Sequence, residues 1–246
     1  MPSSSARADV FLVEHGYAKT RTEAQEAIEA GKVFSDGRRV TKPSQSLNET
    51  CRIKYERAHG YVSRGAMKLA HILNRFELSP YEKICLDIGA STGGFTEVLL
   101  LRGAHKVYAV DVGHGQLDPK LAKDRRVVSL EKTNARDLTR KIIPEKPQAI
   151  VADVSFISLK LALPKALKLA EQNAWLAALV KPQFEVGREN VGKGGIVKNE
   201  AAQQAALAEI ERWLIEDQGW SVLGTMESPM KGGDGNREYL IAAVKQ

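Results

Sequence analysis

From residue 83 onward, short apolar runs alternate with longer amphipathic stretches. The apolar runs predict seven strands, at 83–88, 106–111, 126–130, 148–153, 174–181, 221–226 and 238–244. The amphipathic stretches predict helices at 94–102, 157–170 and 200–217. Strands that alternate with helices form a parallel sheet covered on both faces. Because only a glycine-rich loop at 231–235 joins the last two strands, the last strand should run antiparallel.

The N-terminal part of the chain shows a different pattern, with two short amphipathic helices followed by short strands. Thr20 and Glu23 form a capping box for the second helix, which ends at Gly31. The pattern of residues 32–40 predicts a hairpin, and that of residues 52–55 predicts a further strand. The pattern indicates a small α+β domain at 1–58, a polar linker at 59–64 and a large domain at 65–246.

The first strand of the large domain leads into a glycine-rich turn that opens a helix. This order is typical of nucleotide-binding α/β units, in which backbone approaches the ligand at the carboxyl ends of the strands. The turn has neither the G-x-G-x-x-G spacing of a dinucleotide site nor the Gly-Lys-Ser/Thr of a P-loop. It predicts ligand contacts from Asp87, Gly89, Ala90, Ser91, Thr92, Gly93, Gly94 and Phe95.

Two acidic residues accompany this turn, Asp87 before the glycines and Asp111 at the end of the next strand. An acid in the second position suits the hydroxyl pair of a ribose. Two acids without a phosphate-binding residue suit a nucleoside that is positively charged and carries no phosphate, which describes S-adenosyl-L-methionine. The alternative is a generic doubly wound domain in which Asp87 only caps a turn. The predicted cofactor set is completed by Val112, Asn134, Ala135 and Asp153.

Composition narrows the class of protein. The chain has 246 residues, 43% of them hydrophobic, and no apolar run near the ~18 residues of a membrane span. Residues 1–5 have no apolar core for a signal peptide, so we expect a cytoplasmic protein that does not insert into membranes. Only two cysteines are present and the histidines lack metal-ligand spacing, so neither a disulfide nor a metal site is expected. The net charge of +6 favours an acidic partner such as nucleic acid.

The N-terminal domain resembles the S4 RNA-binding domain in its helix order and in its Thr-Arg, Gly-Lys-Val and Asp-Gly spacings. In that family the second helix and the following loop contact RNA phosphates. The alternative is a solvated charged face, because glutamates are mixed with the basic residues. The resemblance predicts RNA contacts from Arg7, Lys19, Arg21, Lys32 and Arg38.

Longer motifs extend the resemblance over nearly the whole chain. They are Tyr-Val-Ser-Arg-Gly, Leu-Asp-Ile-Gly-Ala-Ser-Thr-Gly-Gly-Phe-Thr, Ala-Asp-Val-Ser-Phe-Ile-Ser-Leu and Val-Lys-Pro-Gln-Phe-Glu. Together with the S4 part they resemble the haemolysin A (TlyA) family of ribosomal RNA 2′-O-methyltransferases. The resemblance implies a Rossmann-like class I methyltransferase domain with a mostly parallel seven-stranded sheet, S-adenosyl-L-methionine as cofactor and ribosomal RNA as partner.

The large domain is also similar to FtsJ-type enzymes, which use a Lys-Asp-Lys-Glu tetrad. By motif position the tetrad falls on Lys68, Asp153, Lys181 and Glu238. A ribose hydroxyl is a poor nucleophile at neutral pH, so a group must accept or share its proton. Lysine can do so where burial and nearby positive charge favour its neutral form. We therefore expect Lys181 to activate or orient the hydroxyl and Lys68 to supply the nearby charge. The alternative is four ordinary surface salt bridges.

A basic glycine-rich loop follows the fifth strand. It predicts a mobile lid over the RNA, or else a solvated loop. Arg188 and Lys193 of this loop are predicted to contact RNA, and so is Arg64 of the linker. These three residues complete the predicted RNA-binding set.

Three functions of different classes remain at this stage: methylation of a cytidine ribose in ribosomal RNA, RNA binding without catalysis, and membrane lysis. The absence of a long apolar segment disfavours lysis. The chain ends directly after the last predicted strand and so resembles a shorter family form that modifies only the large ribosomal subunit. A cytidine of 23S RNA is therefore expected, with 16S RNA as the alternative. The oligomeric state is left open.

Overall fold

The computed structural model describes residues 5–232 and 235–246. Predictions that involve residues 1–4, and positions 233–234 of the glycine-rich loop, lie outside the described residues. The chain separates into two compact units, one up to Ser63 and one from Arg64 onward. This division falls within the segment 59–64 that composition indicated as a linker.

The described part of the first unit, from residue 5 to Ser63, contains two helices and five short strands. They are β1 (Ala6–Arg7), α1 (Ala8–Glu14), α2 (Arg21–Glu29), β2 (Val33–Ser35), β3 (Arg38–Arg39), β4 (Ser46–Leu47) and β5 (Ile53–Tyr55). The β2–β3 hairpin forms as predicted, and β5 pairs with the other edge of β2. Thr20 Oγ1 accepts the amide of Glu23 at 3.2 Å, and the Glu23 carboxylate accepts the amide of Lys19 at 2.8 Å. The small β1–β4 pair was not predicted, since two-residue strands leave no periodic pattern.

A buried carboxylate organises one end of this unit. Asp9 is fully buried and accepts hydrogen bonds from the guanidinium groups of Arg7 and Arg21, at 3.0 and 2.8 Å, and from the Gln25 amide at 2.7 Å. Burial alone would raise the pKa of Asp9, but these three donors hold that pKa well below its usual range. The carboxylate therefore joins the start of α1 to α2.

The second unit is built on one seven-stranded sheet. Its strands are β6 (Ile84–Ile88), β7 (Lys106–Val110), β8 (Val127–Leu130), β9 (Ala149–Ala152), β10 (Trp175–Val180), β11 (Trp220–Glu227) and β12 (Tyr239–Lys245). The order across the sheet is β11-β12-β10-β9-β6-β7-β8. β12 is antiparallel to both of its neighbours, and the other six strands are parallel to one another. The predicted mostly parallel sheet with an antiparallel last strand is confirmed.

Helices cover the sheet, and every residue of β9 and β10 is buried, as a two-sided sheet requires. The helices are α3 (Gly65–Arg75), α4 (Gly94–Leu101), α5 (Pro119–Ala122), α6 (Leu159–Ala162), α7 (Pro164–Leu169), α8 (Pro182–Glu185) and α9 (Glu200–Glu216). Within the described residues, none of these helices has the length and apolar character needed to cross a bilayer.

The prediction of one continuous helix at 157–170 was wrong. It is divided into α6 and α7, and Pro164 occupies the first turn of α7. Proline has no amide hydrogen and its ring clashes with the preceding turn, so one straight helix cannot pass through this position. The helical structure also begins later than predicted, after the N-cap Ser158, which leaves 153–157 as an irregular segment.

The turn after β6 has two special features. Gly89 has φ of +82°, and a Cβ at that position would lie 2.3 Å from the backbone oxygen of Asp153, so only glycine lets the ends of β6 and β9 approach. Below the turn, the fully buried Asp87 accepts the Thr96 hydroxyl at 2.7 Å. Burial, aided by the charges of Asp153 and Asp111 and opposed by hydrogen bonds from Thr96, raises the pKa of Asp87 to about 7.

We expect Asp9→Asn to lower the local stability of α1 and α2 by about 2 kcal/mol, because it weakens a buried, charge-assisted network. The pKa of Asp9 is lowered in the folded chain, so its contribution is present above pH ~4 and is lost as the pH falls below that value. Hydrogen exchange of the α1 and α2 amides at pH 5–7 would measure the loss. Glu14→Gln, which removes an exposed carboxylate from α1, is the control. Equal protection in the two variants would contradict the assigned role.

Asp87→Asn should change how stability depends on pH. Because the pKa of Asp87 is raised on folding, the native state retains a proton that the unfolded chain releases above pH ~4. Wild-type stability should therefore fall between pH ~4 and ~7, by at most roughly 4 kcal/mol, and the variant should lack this component. Urea unfolding followed by tryptophan fluorescence isolates the second unit, which holds Trp175, Trp213 and Trp220. Parallel pH profiles for Asp87→Asn and the exposed control Asp217→Asn would show the expectation to be wrong.

Candidate functional site

A cavity of about 560 Å³ lies where the carboxyl ends of the central strands meet. Gly89 follows β6, Asp111 follows β7 and Asp153 follows β9, so all three reach the same edge of the sheet. The predicted residues that line the cavity are Gly89, Ser91, Asp111, Val112, Asn134, Ala135 and Asp153. Among the residues that the structure describes, its lining contains two carboxylates and neither lysine nor arginine. An uncharged or cationic ligand without a phosphate is the chemistry that such a lining accepts.

The other predicted cofactor residues lie elsewhere. Asp87 is fully buried beneath the turn and faces Thr96, so its side chain supports the turn and does not line the cavity. The remaining members of the glycine-rich turn are likewise outside the lining, namely Ala90, Thr92, Gly93, Gly94 and Phe95. Gly93 has a positive φ of 99° and serves as the N-cap of α4, which explains a glycine there.

Asp111 is held by two backbone amides. Its Oδ2 accepts the amide of Ser91 at 2.8 Å, and its Oδ1 accepts the amide of Gly113 at 2.7 Å. The carboxylate thereby joins the glycine-rich turn to the end of β7 in a fixed orientation. Each oxygen retains a second lone pair, so the group can still accept hydrogen bonds from a ligand in the cavity.

Glu131 performs a related task that the sequence analysis missed. It directly follows β8 and accepts the amides of Gly115, Gln116 and Leu117. These hydrogen bonds, with that of Gly115 the largest contribution, hold the pKa of Glu131 below its usual range. Gln116 is thereby held at the wall of the cavity. An acid immediately after a parallel strand was the signal that identified Asp111 and Asp153, and it applies equally to Glu131.

A second cavity, of about 430 Å³, adjoins the first and shares Ser155 and Phe156 with it. Phe156 is 91% exposed and has φ of +65°, which is a strained conformation for an aromatic residue. Its ring lies 5.2 Å from that of Phe184, centroid to centroid. Polar groups of Lys181, Gln183 and Glu238 also line this cavity. We call the first space the strand-end cavity and this one the lysine cavity.

The four tetrad residues form two ion pairs. Lys181 Nζ lies 2.6 Å from Asp153 Oδ1 and donates to Ser155 Oγ at 2.9 Å. Lys68 donates to Glu238, and both of these side chains are buried. Lys68 comes from the first turn of α3, whereas Glu238 precedes the antiparallel β12 and so reaches the same edge of the sheet as Lys181. Burial distinguishes the Lys68–Glu238 pair from an ordinary surface salt bridge.

The two segments that carry Asp153 and Lys181 are also joined by Glu185. Its carboxylate accepts the Ser158 hydroxyl at 2.6 Å and the amide of Leu159 at 2.9 Å. Burial raises the pKa of Glu185, although these two hydrogen bonds oppose the rise. Glu185 thus caps α6 from a different element and holds the segment that presents Phe156. This glutamate ends the Val-Lys-Pro-Gln-Phe-Glu motif, and no pattern in the sequence indicates its role.

The predicted RNA-binding residues are distributed over both units. Arg7 and Arg21 both form ion pairs with Asp9. Their side chains remain about half exposed, at 49% and 57% of their surface. Lys32 lies 3.5 Å from Glu56, and Lys19 and Arg38 are exposed. In the second unit, Arg188 and Lys193 lie in exposed 3-10 turns. Arg64 precedes α3 and is partly buried.

The profile of the FtsJ-like methyltransferases matches residues 61–245, and that of the S4 domain matches residues 6–50. The chain is 44% identical over 238 residues to the 16S/23S rRNA (cytidine-2′-O)-methyltransferase TlyA of Mycobacterium tuberculosis, which covers 96% of this chain and 88% of that protein. It is 43% identical over 235 residues to Hemolysin A of Brachyspira hyodysenteriae, with 95% and 98% covered.

Two further similarities agree with these. The 23S rRNA (cytidine-2′-O)-methyltransferase TlyA of Campylobacter jejuni is 39% identical over 186 residues, which cover 75% of this chain and 71% of that protein. A solved structure described as a candidate hemolysin of Streptococcus thermophilus superposes with a TM-score of 0.78 at 41% identity, covering 98% of this chain and 89% of that one. The chain, which carries an N-terminal S4 domain, therefore belongs to the FtsJ-like methyltransferases and, within them, to the family of the TlyA and haemolysin A proteins.

Proposed function

We propose that this protein methylates the 2′-hydroxyl of a cytidine ribose in ribosomal RNA, with S-adenosyl-L-methionine as the methyl donor. The observation that carries the proposal is the position of Lys181. Its side chain lines the lysine cavity, and its ammonium group is paired with Asp153, which lines the strand-end cavity. The same lysine therefore lines the space proposed for the acceptor and is paired with a residue that lines the space proposed for the donor.

The strand-end cavity fits the methyl donor by its chemistry. Its volume of about 560 Å³ is of the size that small-molecule sites have, and its charged groups are both carboxylates. Asp111 is oriented to accept hydrogen bonds from a ribose diol, and Asp153 supplies negative charge near a cationic centre. Asn134 and Ala135 also line this cavity and would contact the adenine. When bound, S-adenosyl-L-methionine supplies an electrophilic methyl group.

The lysine cavity would hold the acceptor. Transfer to a hydroxyl requires the oxygen to be positioned in line with the methyl group and its proton to be accepted or shared. Lys181 Nζ is directed by Asp153 and Ser155, so it can hydrogen-bond the incoming oxygen, and in its neutral form it can take the proton. Glu238 lines the same cavity and is held by Lys68, which lines neither cavity. Lys68 would then act through Glu238.

Ribosomal RNA is the substrate class that the relatives support. Both TlyA proteins named above act on cytidine in 23S rRNA, and the M. tuberculosis protein also acts on 16S rRNA. We favour 23S RNA because it is common to both relatives. The half-exposed Arg7 and Arg21 are suited to phosphate contacts that would position the S4 domain on RNA. Such a substrate would place the protein in the cytoplasm.

The substrate assignment can be tested by mapping ribose methylation. Ribosomal RNA from a strain that lacks the gene, incubated with the purified protein and methyl donor, should gain a 2′-O-methyl cytidine in 23S RNA. Primer extension at low nucleotide concentration and mass mapping of both subunits would locate it. Methylation only on 16S RNA would overturn the 23S assignment, and none on either RNA would overturn the proposed function.

Two variants should separate the chemical step from cofactor binding. Lys181→Ala removes the group that activates or orients the hydroxyl, so kcat should fall by about 100-fold or more while the cofactor Kd stays nearly constant. Asp111→Ala should instead raise the cofactor Kd by about tenfold or more, because it removes a hydrogen-bonding carboxylate. Calorimetric titration and a tritium-transfer assay would measure the two quantities.

A matched control for the first variant is Lys165→Ala, which removes an exposed lysine from α7. It should match the wild type in both measurements. Wild-type turnover in Lys181→Ala would refute the role of Lys181. A cofactor Kd unchanged in Asp111→Ala would show that the strand-end cavity is not where the donor binds.

A further inference from the structure

The glycine-rich segment that follows α8 is held near its C-terminal end by hydrogen bonds from other elements of its unit. The sequence suggested a mobile lid or a solvated loop at 187–198. In the structure, Val191, Gly194 and Gly195 line the lysine cavity, and the segment then turns inward to Val197, which is buried. The segment 191–197 is therefore one wall of that cavity, and we call it the glycine wall.

Side chains from two other elements hold Val197. Its amide donates to Asn236 Oδ1 at 2.9 Å, and its carbonyl accepts Gln203 Nε2 at 2.7 Å. Asn236 also donates through Nδ2 to the carbonyl of Gly195 at 2.9 Å. Asn236 and Gln203 are 2% and 4% exposed, so water cannot readily replace these hydrogen bonds. A buried backbone amide and carbonyl at Val197 thus depend on two particular side chains.

The same two residues are also linked to the start of β12, which Glu238 directly precedes. The Tyr239 hydroxyl donates to Gln203 Oε1 at 3.0 Å, and Tyr239 directly follows Glu238. Asn236 lies two residues before Glu238. The three residues Asn236, Gln203 and Tyr239, which we call the clasp, therefore link the glycine wall to the start of β12. A shift of the wall would alter the width of the lysine cavity between Gly194 and Glu238.

We propose that Asn236 and Gln203 are positioning residues for the RNA substrate, holding the glycine wall at the separation from Lys181 and Glu238 that accepts the target nucleotide. This role rests on the function proposed above. Gly194 and Gly195 both have positive φ, 77° and 78°, a backbone shape that glycine adopts freely. Within the segment, the Gly192 amide donates to the Ile196 carbonyl at 3.0 Å and the Gly195 amide to the Gly192 carbonyl at 3.1 Å. These hydrogen bonds are local, and the clasp adds the contacts that fix the segment relative to β12.

Adjacent glutamines on α9 provide a matched test. Gln203 holds the Val197 carbonyl and contacts the Tyr239 hydroxyl, whereas the exposed Gln204 donates to the same hydroxyl at 3.2 Å and leaves the wall untouched. In the full-length protein, Gln203→Ala should raise the KM for 23S RNA about tenfold, with the Kd for S-adenosyl-L-methionine unchanged. Hydrogen exchange of the amides of 191–197 should accelerate by about the same factor. Gln204→Ala should match the wild type in all three measurements.

A second substitution keeps the test valid if Gln203→Ala folds poorly. Asn236→Asp retains the acceptor for the Val197 amide and loses the donor to Gly195, so it should give a smaller rise in KM and faster exchange of the glycine wall. A KM that is unchanged in both variants, with the wild type active, would overturn the role of the clasp alone. A fall in cofactor affinity together with the change in KM would also overturn it. A wild-type protein that methylates no ribosomal RNA would overturn the proposed function itself.

Discussion

The site depends on the convergence of parallel strand ends at one edge of the sheet. Residues that directly follow β6, β7, β8 and β9 reach that edge with Gly89, Asp111, Glu131 and Asp153, and Lys181 follows β10. The antiparallel β12 brings its first residues to the same edge, which is how Glu238 joins them. One topological fact therefore gathers side chains that lie far apart along the chain.

Charge is arranged unevenly around this edge. Among the described residues, the charged side chains that line the strand-end cavity are both carboxylates, whereas the lysine cavity is lined by Lys181 and by Glu238, which pairs with Lys68. Each of the two lysines is matched to an acid, so neither pair leaves a buried charge unbalanced. Because Asp153 lines one cavity and holds the lysine that lines the other, the two binding spaces are electrostatically connected.

Polar side chains from remote elements repeatedly fix irregular backbone in the second unit. Glu131 orders a loop beside β8, Glu185 caps α6, and the clasp holds the glycine wall. In the first unit, Asp9 instead orders the side chains of two arginines. Ligands often bind at irregular segments. Such segments lack the repeating hydrogen bonds of helices and strands. Carboxylates and amides at these positions provide the order that regular structure would otherwise supply.

The sequence by itself determined the position and type of the main elements, the antiparallel last strand and the acids that follow strands, because apolar periodicity and strand-end placement are local properties. The break at Pro164 was also readable locally but was overlooked. Only the tertiary structure decided which partner each polar side chain takes. It paired Lys68 with Glu238 across 170 positions, turned Asp87 away from the cavity and assigned Gln203 to Val197. Such choices depend on distances between elements, and no local pattern in the chain encodes those distances.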